Sequence, residues 1–422
     1  MNIEIINTGT ELMLGRVLNT HQQWLGAQLA DLGYETTRQV AIADAGPLIQ
    51  QAVREALSRA DLIIVTGGLG PTSDDLTRDW VAQLLGAPLR EDAALVRSLE
   101  QFYASRGRPL PASTRVQARV PQGALVLPNA HGTAPGLAID VAPNSFRTGG
   151  QPSLLILLPG PPRELRPMFS QQVVPLLKER LPRREAYFCR VLKVACLGES
   201  VIEEKIGGPL RPWVAAGLDL GYCARMGEVE VRLAARGSEA EPRVNAAETI
   251  VRGLLGPAIF GAGADTLEAV VVRRLIQQHQ TLATAESCTG GLIAHRLTNV
   301  PGASAVFRSG LVTYSNEAKQ RLLGVKIETL AQQGAVSEAT VREMAEGARL
   351  TSGTDYALAV TGIAGPTGGT PQKPVGTVYL GLAGPSQTVV QHHLNPIDRE
   401  TFKWLASQQA LELLRQALGP AL

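Results

Sequence analysis

Cysteines, aromatic residues and excess charge are all scarce in this 422-residue sequence, and each scarcity argues against a class of protein. The chain has 4 cysteines, at Cys189, Cys196, Cys223 and Cys288, with no Cys-x-x-Cys pair and no histidine cluster nearby. A structural zinc site and a disulfide framework are therefore not expected. Aromatic residues make up 4% of the chain and the formal net charge is +2, which disfavours direct nucleic-acid binding.

Long apolar runs are missing as well. No stretch reaches the ~20 apolar residues that a membrane helix requires. The N-terminal sequence begins with a strand-like run rather than with a charged region followed by an apolar one. We therefore expect a cytoplasmic protein with reduced cysteines and no membrane partner.

The sequence does contain a repeated alternation of apolar strands and amphipathic helices. A helical pattern at 46–60 precedes a fully apolar strand at 62–66, and similar alternation resumes in the last third of the chain. Such alternation is typical of parallel sheets with helices on both faces. We therefore predict an α/β protein with two doubly wound, three-layer domains, over residues 1–170 and 261–422, joined by a small α+β domain over 171–260.

The loop after the strand at 62–66 is rich in glycine and acidic residues. Residues 67–77 have the sequence GGLGPTSDDLT. Ligands of open α/β sheets bind beyond the carboxyl ends of the strands, where glycines let backbone N–H groups approach an anion. Asp75 beside phosphate oxygens would suit Mg²⁺ or a similar hard cation. From the residues alone, a phosphate site and a capped glycine turn both stay open.

This loop is similar to the GGTGxxxRDxT signature of the molybdopterin-binding fold. The matching residues are Gly67, Gly68, Gly70, Asp75 and Thr77. Leu69 and Asp74 depart from the signature, where they replace a Thr and an Arg. An acid in place of the Arg argues against molybdopterin itself but leaves a metal–phosphate site intact. Asp44 stands where that fold carries an earlier loop acid.

Two further loops extend the resemblance, PNAHGTAPG at 128–136 and PGPPREL at 159–165. Together with NTGTEL and GGLGPTSDD, they resemble the N-terminal domain of the CinA (competence/damage-inducible) family. The resemblance implies hydrolysis of ADP-ribose to AMP and ribose 5-phosphate with a divalent metal, Mg, Mn or Co. The candidate metal ligands are Asp44, Asp75 and Glu164, although Glu164 would equally suit a helix N-terminus. The candidate substrate-binding residues of this domain are Gly67, Gly68, Gly70, Pro71, Thr72, Asn129, Gly160 and Pro161.

Prolines and alternating strands set residues 171–260 apart. This stretch resembles the KH-like module of the CinA family. A nucleic-acid-binding KH loop needs a GxxG with basic neighbours. The stretch IGGP at 206–209 instead follows Glu203 and Glu204. We expect a structural or dimerising role here and no nucleic-acid partner.

The turn TAESCTGG at 284–291 indicates a more specific catalytic site than the glycine loop at 67–77 does. A serine hydroxyl becomes a nucleophile only when a base takes its proton, and the GxSxG elbow is absent here. His295 lies too far along the following helix to activate Ser287. The best remaining base is Lys319, because parallel neighbouring strands would place its turn and that of Ser287 at one edge of the sheet. Burial and a nearby helix N-terminus both lower the pKa of a lysine.

Other residues near these turns leave several roles open. Tyr314 could relay a proton or hold Lys319, and the backbone N–H groups of Thr361 and Gly362 could form an oxyanion hole. Ser287 could also be a helix cap, and Lys319 a solvated helix lysine. Cys288 competes with Ser287, since thiolates are stronger nucleophiles, but no histidine partner is apparent.

The stretches TAESCTGG, TYSNEAK and VTGIAGPTGG resemble the C-terminal CinA domain. The resemblance implies deamidation of nicotinamide mononucleotide (NMN) to nicotinate mononucleotide and ammonia, without a cofactor. It implies that Ser287 is the nucleophile and Lys319 its base, with Tyr314 assisting and Thr361 and Gly362 on the oxyanion side. The candidate substrate-binding residues are Glu286, Thr289, Gly290, Gly365, Pro366, Thr367, Gly368 and Arg399, the last toward the phosphate. Glu286 could also position the lysine or be a simple loop acid.

Three classes of function follow from these observations. The favoured one is a bifunctional enzyme of pyridine-nucleotide salvage that acts on NMN and ADP-ribose and forms a homodimer. The second is a molybdopterin-handling protein with a non-catalytic C-terminal domain. The third is a competence or repair accessory protein without catalysis.

Overall fold

The N-terminal part of the chain folds around a six-stranded sheet. The computed structural model describes residues 1–182 and 185–419, and Met1–Ala186 form the first of two compact units. The strands of this unit are β1 (Ile3–Thr8), β2 (Arg38–Ile42), β3 (Leu62–Thr66), β4 (Leu89–Glu91), β5 (Arg119–Pro121), β6 (Leu125–Leu127), β7 (Gly136–Val141) and β8 (Ser153–Leu158). Strands β4 and β5 pair with each other in a separate two-stranded sheet. Its helices are α1 (Thr10–Met13), α2 (Thr20–Asp31), α3 (Gly46–Leu57), α4 (Thr77–Leu85), α5 (Ala93–Ala104), α6 (Pro162–Met168) and α7 (Val174–Arg180).

The sheet has the order β2-β1-β3-β8-β7-β6, and its first four strands are parallel. Strands β3 and β8 are buried along their whole length, as expected for the apolar centre of a parallel sheet. Helices α2, α6 and α7 cover one face, and α3 and α4 cover the other. The loops that follow β1, β2, β3 and β8 therefore emerge at one edge. Because α7 packs in this core, the first unit extends past residue 170.

The second unit, Tyr187–Leu422, begins with a four-stranded antiparallel sheet. Its elements are β9 (Tyr187–Ala195), α8 (Glu199–Ala215), β10 (Leu218–Arg225), β11 (Glu228–Arg236), α9 (Ala240–Leu255) and β12 (Ile259–Ala262). Both helices pack on one face of the sheet. The stretch 206–209 lies within α8 rather than in a loop, and Pro209 and Pro212 do not end that helix. Its buried stripe of Ile202, Ile206 and Leu210 against the sheet favours the helix more than the prolines oppose it.

A five-stranded sheet forms the rest of the second unit. Its strands are β13 (Leu282–Glu286), β14 (Phe307–Val312), β15 (Tyr356–Gly362), β16 (Thr377–Ala383) and β17 (Thr388–Leu394). Its helices are α10 (Leu267–Gln277), α11 (Leu292–Thr298), α12 (Asn316–Leu323), α13 (Ile327–Gln333), α14 (Glu338–Ser352) and α15 (Arg399–Ala417). The strand order is β14-β13-β15-β16-β17, with β14, β13 and β15 parallel. Apolar clusters lie on both faces, one against α10, α11 and α15 and one against α14.

The predicted fold class is confirmed: along the chain, a three-layer α/β domain is followed by a small α+β domain and then by a second three-layer α/β domain. Within the part of the chain that the structure describes, no helix combines the length and apolar character needed to cross a membrane.

Candidate active site

Ser287 and Lys319 lie at the carboxyl edge of neighbouring parallel strands. Strand β13 ends at Glu286, and the Ser287 N–H donates to the Val360 carbonyl at 2.9 Å, which prolongs the sheet by one residue. Lys319 belongs to α12, which is separated from the end of β14 by three residues and is capped by the Ser315 side chain. Because β13 and β14 pair in parallel, the two turns stand side by side.

The two side chains are in direct contact inside the domain. Lys319 Nζ lies 3.0 Å from Ser287 Oγ, and the lysine side chain is among the largest fully buried ones, at 1% exposure. Nζ also lies 2.8 Å from the Thr313 carbonyl oxygen and 3.4 Å from that of Tyr314. Lys319 therefore has three oxygen neighbours and almost no solvent.

This environment shifts the protonation equilibrium of Lys319 toward the uncharged amine. Burial lowers the pKa of Lys319 below its ordinary value. A neutral amine has two N–H bonds and one lone pair. Carbonyl oxygens can only accept, so the two N–H bonds fit the carbonyls of Thr313 and Tyr314, and the lone pair is left for the Ser287 hydroxyl. The arrangement matches a base that takes the serine proton.

Tyr314 contributes its backbone rather than its phenol to this contact. Its side chain is 62% exposed, and its hydroxyl accepts a hydrogen bond from Arg399 Nη2 at 2.9 Å. Arg399 Nη1 donates to the Gly365 carbonyl at 2.8 Å, so the guanidinium joins two loops at the rim of the site. The next residues of that loop, at 366–368, are exposed. The expectation that the Tyr314 side chain holds Lys319 is not met, because the phenol points to Arg399.

Cys288 faces the core instead of the substrate side. It is 6% exposed, and burial raises the pKa of its thiol to about 12. A Cβ added at Gly362 would lie 3.2 Å from Cys288 Sγ, so glycine at this position makes room for the thiol. A thiol that resists ionisation is a poor nucleophile, which favours Ser287.

Glu286 holds the turn together. Its buried carboxylate accepts hydrogen bonds from the N–H groups of Gly291, Ile293 and Ala294, at 3.0, 3.1 and 2.8 Å. The N–H groups in the first turn of a helix have no partner within the helix. The Glu286 carboxylate supplies one from the preceding strand and thereby caps α11. Of the roles considered for Glu286, the contacts correspond to a capping acid. Thr289, three residues later in the same turn, is fully buried.

Replacing Glu286 with glutamine should destabilise the protein. The carboxylate accepts from three N–H groups with both oxygens, whereas an amide offers one acceptor oxygen and turns its NH₂ toward a donor. We expect a loss of about 1–3 kcal/mol in the free energy of unfolding, because a buried N–H would be left unpaired. Urea denaturation of the Glu286→Gln variant measures this. A midpoint equal to that of the unmodified chain would contradict the capping role.

The N–H groups of Thr361 and Gly362 point to opposite sides of strand β15. The N–H of Ile363 donates to the Thr377 carbonyl on β16. Because successive residues of a strand direct their N–H groups to opposite sides, the N–H of Thr361 also faces β16 and that of Gly362 faces β13. The expected pair of oxyanion donors is therefore reduced to Gly362. The Thr361 hydroxyl donates to the Ala335 carbonyl at 2.8 Å.

The glycine loop of the N-terminal domain is packed tightly at the edge of its sheet. Gly67 and Gly68 have φ of +97° and +65°, and a Cβ at Gly67 would lie 2.7 Å from Thr8 Oγ1. A Cβ at Gly160 would lie 3.8 Å from the Cα of Gly67, so the loops after β3 and β8 adjoin. Pro161 follows as the N-cap of α6, and Pro71 and Thr72 lie at the outer part of the glycine loop.

The three predicted metal ligands have separate roles in the loops. Asp75 accepts from the N–H and hydroxyl of Thr72, and Asp44 accepts from the Thr10 N–H at 2.8 Å. Glu164 is 7% exposed and accepts from Asn129 Nδ2 at 2.8 Å, which ties it to the 128–136 loop. Across residues 1–182 and 185–419, no three His, Cys, Asp or Glu side chains form a group that could hold a metal ion. Asp44, Asp75 and Glu164 are thus not brought together.

Two contacts at these sites were missed from the sequence. One is the carbonyl of Thr313, which holds Lys319; a backbone acceptor has no signature in the residue type. The other is His21, whose Nε2 bonds the Gly160 carbonyl and whose pKa is lowered by burial. The available signal was its place in the first turn of α2, the helix that follows β1 and the NTGTEL stretch.

Comparison with known proteins agrees with this three-part architecture. Residues 4–179 match the model of a probable molybdopterin binding domain, 189–261 that of the damage-inducible protein CinA KH domain, and 264–418 that of the CinA C-terminal domain. Together these matches define a chain in which a molybdopterin-binding-like domain precedes a KH domain and a CinA C-terminal domain.

The chain belongs to the CinA family. It is 45% identical over 421 residues to a putative competence-damage inducible protein of Moorella thermoacetica, with 99% of each chain covered. It is 46% identical over 418 residues to a CinA-like protein of Akkermansia muciniphila, covering 99% of this chain and 97% of that one. A solved structure of competence/damage inducible protein CihA from Agrobacterium tumefaciens is 44% identical, covers 37% of this chain and 98% of that one, and has a TM-score of 0.34.

Proposed function

We propose that the C-terminal domain is an amidohydrolase that converts NMN to nicotinate mononucleotide and ammonia. The observation that carries the proposal is the buried contact of 3.0 Å between Lys319 Nζ and Ser287 Oγ. Lys319 is buried from solvent and takes part in no ion pair among the described residues. Because burial lowers its pKa, it is suited to act as a base in its neutral form. The substrate comes from the resemblance of this domain to the CinA C-terminal domain.

The proposed reaction has two stages. Ser287 Oγ attacks the carboxamide carbon while its proton passes to Lys319 Nζ, and the N–H of Gly362 faces the developing oxyanion. The ammonium of Lys319 then returns the proton to the leaving nitrogen, which departs as ammonia and leaves an ester on Ser287. Water attacks the ester and gives a proton to Lys319 Nζ. The bond between the acyl carbon and Ser287 Oγ then breaks, Lys319 returns this proton to Oγ, and the acid product loses its proton to solvent as nicotinate mononucleotide. No metal or oxidant is needed to balance these steps.

A direct assay tests the proposed activity. The purified chain is incubated with NMN, and nicotinate mononucleotide is measured by HPLC and ammonia by a coupled assay. The two products should form in equal amounts, and EDTA should leave the rate unchanged. Absence of both products would overturn the proposal.

We further propose that the N-terminal domain hydrolyses the diphosphate of ADP-ribose. The support is the edge where the loops after β1, β3 and β8 adjoin, with glycine backbone close to Thr8 and Asp75. Such edges are where α/β sheets bind their ligands. The absence of a three-residue cluster means that the described side chains alone do not form a metal centre. The proposed metal requirement of this activity rests on the family resemblance.

An Asp75→Asn variant tests this second activity. The substitution keeps the size of the side chain and removes its charge from the glycine loop, so we expect ADP-ribose cleavage to fall by roughly 100-fold or more. NMN deamidation should be unaffected. AMP and ribose 5-phosphate are measured by HPLC.

An Asp140→Asn variant serves as the matched control, because Asp140 forms a surface ion pair with Arg180 outside the loop. It should keep both activities. Equal ADP-ribose turnover by the Asp75 variant and the unmodified chain would reduce Asp75 to a loop cap.

A further inference from the structure

Helix α15 connects the rim of the candidate active site with the α+β domain. At its first residue, Arg399 donates to the Gly365 carbonyl and to the Tyr314 hydroxyl. Near its other end, Arg415 Nη2 donates to the Pro257 carbonyl of the α+β domain at 2.6 Å. The helix has 19 residues and is therefore roughly 28 Å long. Because a helix moves as one body, a displacement at the α+β domain reaches the rim.

The turn between β10 and β11 packs directly on the middle of α15. Gly227 in this turn has a φ of +79°, and a Cβ added to it would lie 2.7 Å from Gln408 Cγ and 3.1 Å from Leu405 Cδ1. The Gly227 carbonyl accepts from the N–H of Cys196 at 3.0 Å, which anchors the turn to the end of β9. The backbone of the turn therefore lies against α15 at a distance that only glycine permits.

The side chain of Gln408 joins this turn to a second helix of the site. It is 1% exposed, its Nε2 donates to Glu228 Oε2 at 3.4 Å, and its Oε1 accepts from Arg296 Nη2 at 2.6 Å. Arg296 belongs to α11, the helix that Glu286 caps directly after the turn of Ser287. A carboxylate can only accept and a guanidinium can only donate, so an amide between them satisfies both partners in one orientation.

We propose that the turn at Gly227 is a positioning element of the deamidase site. The inference rests on the proposed deamidase function and gives the α+β domain a part in it. The turn fixes α15, which holds the loops at the rim through Arg399, and Gln408 extends the same constraint to α11 and the nucleophile turn. Both act through the two helices and take no part in bond making, so their effect on the rate comes from the alignment of Ser287 with the rim.

A pair of glycine substitutions tests the contact with α15. Gly227→Ala adds a Cβ at 2.7 Å from Gln408 Cγ and should displace the helix, so we expect kcat for NMN to fall by about 10- to 100-fold. Gly237→Ala is the matched control. Gly237 also has a positive φ, of +90°, just past the other end of β11, but an added Cβ there meets open space in the described part of the chain.

The control should therefore bear the same kind of backbone strain and keep kcat for NMN. Both variants should cleave ADP-ribose at the rate of the unmodified chain, and thermal unfolding compares their stability. Equal values of kcat for the two variants overturn the proposal.

An exchange of two side chains tests the connection through Gln408. Gln408→Glu sets a carboxylate against Glu228 and should lower kcat for NMN by about 10-fold. Adding Glu228→Gln moves the amide to the other side of the contact. The hydrogen bond can then form again, and kcat should return to within about threefold of the unmodified value. A loss of kcat that the second substitution does not reverse overturns the connection.

Hydrogen exchange separates this proposal from the deamidase proposal. Amide exchange in residues 287–298 is followed by mass spectrometry in the unmodified chain, in Gln408→Glu and in the double variant. Exchange should be faster in Gln408→Glu and normal in the double variant. If the unmodified chain releases no ammonia from NMN but exchange follows this pattern, the deamidase proposal fails and the positioning role stands. Equal exchange in all three proteins overturns the positioning role.

Discussion

A Ser287→Ala variant is expected to lose ammonia release from NMN by at least about 10⁴-fold. The reason is that the hydroxyl forms the proposed covalent bond to the carboxamide carbon. Among the described residues, Lys319 Nζ hydrogen-bonds Ser287 Oγ and two backbone carbonyls, so Ser287 is the one nucleophile among these partners. The side chain is small and 8% exposed, so its removal should disturb neither the turn nor the cap formed by Glu286. The variant should therefore unfold at nearly the same temperature and cleave ADP-ribose at the rate of the unmodified chain.

The neighbouring cysteine supplies the matched control. Cys288→Ala should keep the deamidase rate within roughly threefold of the unmodified chain, because the raised thiol pKa and the packing against Gly362 keep Cys288 out of the chemistry. If Ser287→Ala retains full activity and Cys288→Ala abolishes it, the nucleophile is the thiol. Loss of activity in both would point to a collapsed turn, which the thermal unfolding measurement detects.

Much of the architecture could be predicted from local patterns. Apolar runs such as LIIVT and YALAVTG lie in β3 and β15, and the strand-to-helix turns after them follow the alternation of the sequence. Parallel pairing of β13 with β14 was the single assumption needed to bring TAESCTGG and TYSNEAK to one edge of a sheet. Such features depend on residue periodicity, which is visible in the sequence.

The details of the sites depend on the directions of backbone carbonyl and N–H groups, which residue types do not encode. The carbonyls that hold Lys319 and the opposite directions of the Thr361 and Gly362 N–H groups follow from strand ends and pairing. Likewise, Glu286 could be listed as a site acid, but its three N–H partners depend on how α11 leaves the turn. The candidate metal acids show the same limit. Asp44 and Asp75 lie in different loops and Glu164 in the first turn of α6, so the backbone conformation decides whether their carboxylates meet.

Replacing Lys319 should show whether the lysine acts as a base or only as a positive charge. Lys319→Gln should lower deamidation by about 10²- to 10⁴-fold, the usual contribution of a general base. Lys319→Arg keeps a cation but cannot lose its proton, so it should not rescue the rate. If the lysine merely stabilised negative charge, arginine would restore a substantial fraction of the activity. Circular dichroism and thermal unfolding identify variants in which the buried guanidinium has disrupted the domain.

The pH dependence gives an independent test of the same assignment. The active form of Lys319 is the neutral amine, so its population rises with pH through the pKa of Lys319, which burial places below the ordinary lysine value of 10.5. The kcat/KM for NMN should therefore increase with pH on the acid side of that pKa and level off above it. In Lys319→Gln the residual rate should lose this rise, because the titrating group is gone. A profile that falls over the same range, or that persists unchanged in the variant, would assign the proton transfer to another group.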